Sequence, residues 1–267
     1  MKILELARIS FYVANGFIEN DESFDVLEGY INYNYDVLKE FKGIVIANTY
    51  KNYNNELVTK NRNLWQKYFP NTVTIDIKEN RGHSFGIADS ENALIDYCKD
   101  LNIEWICKCS NDVTSETKIL ERKISGDSDL YYFNGISYED LYLYKFDFEK
   151  LYEEHFYPQT NFYFLRIGKI DYLYEKNYVD ETYAYRLKIQ NYNNKIWEYI
   201  PGWSCENFLK RCVKRNNLKS EYILTKQEHI NLCKIIEMYK IGDPSHKNVS
   251  ICGVCHLQWP DEMILEC

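Results

Sequence analysis

Apolar residues in the first half of the chain cluster in short runs that predict four strands. Residues 2–13 alternate apolar and polar side chains, while residues 43–47 form the continuous apolar run of a strand buried on both faces. Residues 73–77 alternate again, and residues 104–109 form an apolar stretch that ends in polar residues. We expect each of these four runs to be a strand of one sheet.

Between the predicted strands, apolar residues recur at the spacing of a helix. Helices are expected over 20–41, 54–69 and 84–101, and Pro70 ends the second of them. Strands separated by helices pair in parallel through right-handed crossovers. The pattern therefore predicts an α/β fold of the Rossmann type, with a mixed, mainly parallel sheet flanked by helices.

The regular alternation of predicted strands and helices does not continue in the second half of the chain. Residues 130–146 and 156–167 predict strands, and helices are expected near 205–216 and 229–239. The sequence contains no internal repeat and no low-complexity linker. We therefore expect a single domain over residues 1–267.

Composition narrows the class of protein. The 267 residues are 45% hydrophobic and 16% aromatic, which excludes disorder of the whole chain. A net charge of −8, with no basic block, makes binding to nucleic acid unexpected. No stretch approaches the ~20 apolar residues of a membrane span. Nine Cys residues without a signal peptide predict reduced thiols and a cytoplasmic location.

Each predicted strand of the first half ends in polar residues. These ends are Asn15, Asn48, residues 79–82 and residues 110–112. In an open parallel sheet, ligands bind beyond the carboxyl ends of the strands. Asp112 could hold Mg²⁺ or Mn²⁺ against a pyrophosphate there, because these cations prefer hard oxygen ligands. A lone Asp after a strand is more often a turn or cap residue.

The wider segment 75–112 resembles the GT-A glycosyltransferases, especially those of the family 2 type. Those proteins carry an Asn-x-Gly-x-x-x-Gly turn, a helix, and an apolar strand that ends in an Asp-x-Asp metal motif. The matching positions are Asn80, Gly82, Gly86 and Asp112. Ser110 stands where the first Asp would be. The resemblance implies a metal-dependent transfer, with Mn²⁺ or Mg²⁺, of a sugar from a UDP- or GDP-sugar donor to a glycan hydroxyl.

The resemblance also implies a division of labour along the chain. Residues 1–115 would bind the nucleotide sugar, and residues 116–267 would form the acceptor side. The implied donor-binding residues are Val13, Ala14, Asn15, Asn48, Arg81, Ser110, Asn111 and Asp112. On the acceptor side, a segment similar to that of polysaccharide-building members supplies Gln159, Thr160 and Asn161, and Trp203 is a candidate for stacking on a sugar ring. A turn before an apolar strand is the alternative interpretation of residues 159–161.

Glu206 is the candidate catalytic residue. Residues 200–209 look like the GT-A segment in which a glycine-bearing loop precedes an x-Glu-Asp motif at the start of a helix, although Asn207 replaces the Asp. Glu206 would then be the general base that takes the proton of the acceptor hydroxyl, which gives inversion. An acidic residue is also favoured in the first turn of any helix, and a structural Glu206 would leave a retaining reaction open.

His256 is the second candidate metal ligand, because many GT-A enzymes carry a histidine near the C-terminus. His246 is its rival. His256 also closes a Cys-x-x-Cys-His pattern with Cys252 and Cys255, which is the attachment motif of c-type haem. Haem attachment requires an oxidising compartment, which a chain without a signal peptide does not reach. A zinc site would need a second pair of Cys or His ligands, and no such pair with suitable spacing is obvious. The usual interpretation of the two cysteines is that they are buried, reduced thiols.

Two other classes of protein stay open. Ser110 and Asn207, which replace acidic residues of the family pattern, are consistent with a catalytically silent relative that binds carbohydrate or nucleotide. A nucleotidyltransferase would share the sheet and the metal, but it would carry a glycine-rich, basic loop after the first strand. Residues 14–17 contain a single glycine and no lysine or arginine.

Overall fold

The computed structural model describes residues 1–79, 81, 83–110, 113–181, 183–184, 205–240, 248–251, 254–256 and 262–265. For residues 83, 84, 113, 114, 161, 205–207 and the last three ranges, it describes the backbone alone. None of the helices in this part of the chain is long and apolar enough to cross a membrane.

The larger sheet takes seven strands from the described residues. In chain order they are β1 (Ser10–Ile18), β2 (Gly43–Tyr50), β3 (Val73–Ile77), β4 (Trp105–Ser110), β6 (Leu130–Asn134), β7 (Pro158–Arg166) and β8 (Ser220–Tyr222), with β5 (Val113–Ser115) in a separate sheet. Their spatial order is β3-β2-β1-β4-β7-β6-β8. The first four pair in parallel, and β7 lies antiparallel between β4 and β6. The mixed, mainly parallel sheet is therefore confirmed.

A second sheet gathers strands from the end of the chain around β5. Among the described residues it contains β9 (Asn248–Ile251), β10 (Val254–His256) and β11 (Glu262–Leu265) in the order β11-β9-β10-β5. Since β5 follows β4 after two residues, this sheet meets the larger one at the carboxyl end of β4.

Helices cover both faces of the larger sheet. They are α1 (Ile3–Ile9), α2 (Ser23–Leu38), α3 (Asn55–Tyr68), α4 (His83–Asp100), α5 (Tyr138–Leu143), α6 (Phe148–Glu154), α7 (176–181), α8 (Cys205–Arg215) and α9 (Lys226–Tyr239), with short 3-10 turns at Thr117–Glu121 and Ile167–Lys169. One core lies between the sheet and α1, α2, α3 and α9, and the other lies between the sheet and α4 and α8. Alternate residues of β1 serve the two cores, Tyr12 and Ala14 in the first and Val13 in the second.

The predicted first strand is wrong over its first half. Residues 3–9 form α1, and the strand begins only at Ser10. Ile3, Leu6 and Ala7 are each 0% exposed and stand three and four residues apart, which is the spacing of one helix face. The polar residues among them made the same segment resemble an alternating strand.

The predicted strand over 130–146 is also wrong beyond Asn134. Ser137 begins α5 instead, through a reciprocal capping box with Asp140. The Ser137 hydroxyl accepts a hydrogen bond from the Asp140 amide, and the Asp140 carboxylate accepts one from the Ser137 amide. Apolar side chains continue through α5, but Tyr142 and Leu143 are 71% and 74% exposed.

Candidate functional site

The register of the sheet brings several predicted site residues to one edge. Asn15 in β1 pairs with Ser110, the last residue of β4, and Gly16 pairs with Asn48 in β2. On the other side of β4, Cys109 pairs with Phe162 of the antiparallel β7. The beginning of β7 therefore lies at the same edge as the carboxyl ends of β1, β2 and β4.

Near this edge, the predicted donor-binding residues lie on both faces of the sheet. Asn15 and Ser110 are register partners and face α4, whereas Asn48 faces the opposite core with Gly16. A Cβ atom on Gly16 would lie 2.2 Å from Asn48 Oδ1, so the glycine makes room for the Asn48 side chain. Asn48 is 1% exposed, and its Nδ2 has no hydrogen-bond partner among the described residues.

A buried ion pair lies on the α4 side of the edge. Lys108 in β4 and Glu91 in α4 are 3% and 2% exposed, and Lys108 Nζ lies 3.1 Å from Glu91 Oε1. The Lys108 ammonium also donates to Ser110 Oγ at 3.0 Å and to the Thr160 carbonyl at 2.9 Å. Buried charges are costly unless paired and hydrogen-bonded, and this pair meets both conditions.

Glu91 connects the ion pair to two further residues. Asn15 Nδ2 donates to Glu91 Oε1 at 3.1 Å, and the Tyr174 hydroxyl donates to Glu91 Oε2 at 2.7 Å. Asn15 Oδ1 is buried and has no hydrogen-bond partner among the described residues. The network therefore presents an amide acceptor from Asn15 and a hydroxyl from Ser110 side by side at the sheet edge.

Lys108 and Glu91 were missed in the sequence analysis. The signal for Lys108 was present, because a lysine in the middle of a buried apolar strand must find a partner for its charge. Glu91 carried no comparable signal. It stands in α4, and only the packing of that helix on the sheet shows that its carboxylate lies inside.

Arg81 is held by carboxylates of the chain itself. Its guanidinium forms a bidentate pair with Asp89, donates to Asp180 at 2.7 Å, and stacks over the Tyr183 ring at 5.1 Å. The hydrogen bonds that Arg81 donates to Asp89 raise the pKa of Arg81, and the one that it donates to Asp180 adds to the effect. The side chain is 11% exposed, so two acidic groups already neutralise this predicted donor-binding residue.

The other predicted residues that the structure describes are buried. Val13 and Ala14 are each 1% exposed and pack in the two cores, so contact with a ligand there would come through the backbone. Gln159 and Thr160 are each 7% exposed and lie within β7. The alternative of a turn at this position is therefore wrong, since the strand already begins at Pro158.

Several predicted site residues lie outside the described residues. These are Asn80, Gly82, Asn111, Asp112, Trp203, His246 and Cys252. The side chains of Asn161, Glu206 and His256 also lie outside them. The backbone places Glu206 in the first turn of α8, and it pairs His256 with Val113, the residue that follows Asp112.

The described residues contain no group of three or more His, Cys, Asp or Glu side chains that could hold a metal ion. The side chains of the predicted ligands Asp112 and His256 lie outside the described residues. A carboxylate oxygen suits both Mn²⁺ and Mg²⁺, whereas an imidazole nitrogen is a softer ligand that suits Mn²⁺ better than Mg²⁺. The pairing of β10 with β5 places the backbone of His256 opposite Val113, the residue after Asp112 in the sequence.

No family model matches the chain, and no curated protein matches it in sequence. Among solved structures, it is similar to the galactosyltransferase LgtC in complex with donor and acceptor sugar analogs, with 10% identity and a TM-score of 0.44 over 93% of this chain and 87% of that one. A variant of LgtC gives a TM-score of 0.49 at 11% identity, over 93% and 88% of the two chains.

Two further similar structures belong to different classes. One is the mannosyltransferase PcManGT from Pyrobaculum calidifontis in complex with GDP-Man and Mn²⁺, at 8% identity and a TM-score of 0.44 over 79% of this chain and 54% of that one. The other is a nucleoside-diphosphate-sugar pyrophosphorylase from Vibrio cholerae RC9, at 12% identity and a TM-score of 0.42 over 80% and 91% of the two chains.

Proposed function

We propose that this protein is a glycosyltransferase that moves a sugar from a UDP- or GDP-sugar to a glycan hydroxyl and requires a divalent metal. The observation that carries the proposal is the alignment of Asn15 with Ser110 at the carboxyl edge of the sheet, immediately before residues 111–112. Asn15 Oδ1 is buried there without a hydrogen-bond partner among the described residues, and a bound nucleotide could supply that partner. The GT-A resemblance of segment 75–112 selects sugar transfer from the reactions that such an edge supports.

Asp112 and His256 would hold Mn²⁺ or Mg²⁺ in this proposal. The metal, when bound, would supply charge neutralisation for the leaving diphosphate. The pairing of His256 with Val113 supports the assignment, because Val113 directly follows Asp112 in the sequence.

Glu206 would accept the proton of the acceptor hydroxyl, so the reaction would invert the anomeric centre. Its place in the first turn of α8 supports this role only in part, since the same position suits a purely structural acid. Gln159, Thr160, Asn161 and Trp203 would lie on the acceptor side. The five buried free cysteines of the described residues suit a reducing cytoplasm.

The test is release of nucleoside diphosphate from a panel of UDP- and GDP-sugars, with and without Mn²⁺. We expect release by the wild type with Mn²⁺, and a loss of at least about a hundredfold in Asp112→Ala, a size typical of removing one group that stabilises transition-state charge. Asp127→Ala, which removes an exposed carboxylate elsewhere, is the matched control and should keep full activity.

The outcome also separates the rival classes. Sugar or nucleotide binding without turnover would favour the catalytically silent relative, which the serine at position 110 keeps open. Activity that survives Asp112→Ala unchanged would contradict the metal assignment.

A further inference from the structure

We propose that Lys108 and Glu91 are positioning residues, which fix Ser110 as a hydrogen-bond donor and Asn15 as an acceptor toward the bound nucleotide. The proposal rests on the proposed function, since it concerns the same edge of the sheet. It assigns a role to two residues that do not touch the ligand themselves.

The contact with Lys108 determines whether the Ser110 hydroxyl donates or accepts. An ammonium group has donors only, so Ser110 Oγ must accept in their 3.0 Å hydrogen bond. The Ser110 proton is then directed elsewhere, and it has no acceptor in the described part of the chain. Its natural partner is an acceptor oxygen of the nucleotide, such as a phosphate, hydroxyl or carbonyl oxygen.

The contact with Glu91 determines the orientation of the Asn15 side-chain amide in the same way. An ionised carboxylate only accepts, so the amide group of Asn15 must turn its Nδ2 toward Glu91. Asn15 Oδ1 is left as a buried acceptor that lacks a partner within the described residues. A ligand that satisfies both side chains must carry a donor beside an acceptor. Phosphate oxygens alone cannot do this, whereas a nucleoside can.

The network also explains why a serine suits position 110. A carboxylate there would compete with Glu91 for the Lys108 ammonium group and would add an uncompensated buried charge. The serine oxygen, which already accepts from a cation, is a poor ligand for a second cation. We therefore assign Ser110 to the nucleotide and not to the metal.

Calorimetric titration of UDP and GDP at saturating Mn²⁺ tests the assignment. We expect Ser110→Ala to weaken nucleotide binding about tenfold, the size of one hydrogen bond to a polar ligand. The Mn²⁺ concentration needed for half-maximal binding should stay unchanged. The double variant Lys108→Met with Glu91→Gln removes both charges but keeps an acceptor for Asn15, and it should weaken binding by a similar factor.

The triple variant separates positioning from a merely structural role. If Lys108 acts through Ser110, adding Ser110→Ala to the double variant should cost little more. The same tenfold loss in both backgrounds, no loss in Ser110→Ala, or a shifted Mn²⁺ requirement would overturn the inference. Lys99→Met is the matched control, because Lys99 Nζ donates to the Ile170 and Asp171 carbonyls, near the other end of α4.

Thermal unfolding of each variant shows whether it is folded before binding is measured. If the double variant does not fold, the single variant Ser110→Ala still decides between a nucleotide contact and a metal contact. Wild-type protein that binds neither UDP nor GDP at any Mn²⁺ concentration would instead refute the proposed function, which is a different result.

Discussion

His229 is fully buried in an aromatic cluster on α9. It lies 5.2 Å from the Tyr152 ring and 5.7 Å from the Tyr222 ring, both in edge contacts, and its Nε2 lies 3.4 Å from Cys233 Sγ. Burial lowers the pKa of His229 to about 4, because the charged imidazolium loses its hydration there. Acidification must therefore place a charge among these rings or unfold the protein.

We expect the free energy of unfolding to fall as the pH drops from about 6.5 to about 4. In this window the unfolded state binds a proton at His229 and the folded state does not, so protons favour unfolding. The shift from the usual value of ~6.5 corresponds to about 3 kcal/mol at most. Urea titrations across this range measure it.

Two histidine variants give the comparison. His229→Gln should remove most of this slope, whereas His155→Gln, at a half-buried position, should keep it. A slope that persists in His229→Gln would assign the acid sensitivity to other groups.

Glu228 affects stability only at lower pH. Burial alone would raise its pKa, but hydrogen bonds from Arg122 and Thr225 hold the pKa at about 2. The stability that Glu228 contributes is therefore lost only below about pH 4.5.

At the scale of single residues, the sequence predicted positions better than contacts. The polar end of β4 at Ser110 was predicted correctly from the apolar pattern, whereas β1 continues past its predicted end at Asn15 to Ile18. The contact of Arg81 with Asp180 could not be predicted, since Asp180 lies 99 residues away along the chain. Glu91 could not be predicted either, because the burial of a single helix side chain depends on how that helix packs.

At the scale of elements, α1 shows how packing decides between two periodicities. Its side chains Ile3, Leu6 and Ala7 fill the core on the side of α2 and α9, and Ile3 N donates to the Arg122 carbonyl at 2.9 Å. An isolated helix of seven residues is unstable in water, so this packing must supply its stability.

We expect Leu6→Ala to lower the free energy of unfolding by about 2–5 kcal/mol, because it leaves a cavity at a fully buried position. Ile9→Ala in the same helix removes a side chain that is 48% exposed and should cost about 0.5 kcal/mol or less. Chemical denaturation of both variants measures the difference. Equal costs would show that α1 contributes little to the core.

The elements that were predicted well have strong local signals. Residues 73–77 were assigned to a strand and form β3 with those bounds, and Asn54 caps α3 through a hydrogen bond from the Leu57 amide at 2.9 Å. Residues 138–146 were misassigned because their apolar content outweighed the capping box at Ser137. Composition alone does not reveal that Tyr142 and Leu143 face solvent.

At the scale of the whole molecule, one sheet joins the two predicted halves of the chain. β7 and β6 come from the second half and continue the sheet beyond β4. β4 therefore lies inside the sheet, and its residues Ile106, Cys107 and Cys109 are each 1% exposed or less. The parallel core could be predicted from sequence, whereas the antiparallel β7 could not, since its place depends on pairing across more than 50 residues.

We expect the fragment of residues 1–115 to fail to form a cooperatively folded monomer. Without β7, the outer edge of β4 would be unpaired, and an exposed apolar edge strand promotes aggregation. Gel filtration and heat-induced unfolding of the fragment and the full chain provide the comparison. A monomeric fragment with a sharp transition would show that the nucleotide half is an independent folding unit.

The position of β7 also has a consequence during synthesis on the ribosome. The partner of Cys109 in the sheet is Phe162, so β4 leaves the exit tunnel 53 residues before the strand that covers its edge. At translation speeds of ~5–20 residues per second, that delay is on the order of several seconds. Throughout it, the nascent chain offers the same edge to any neighbouring polypeptide, which makes this interval the time at which a holdase chaperone would matter most.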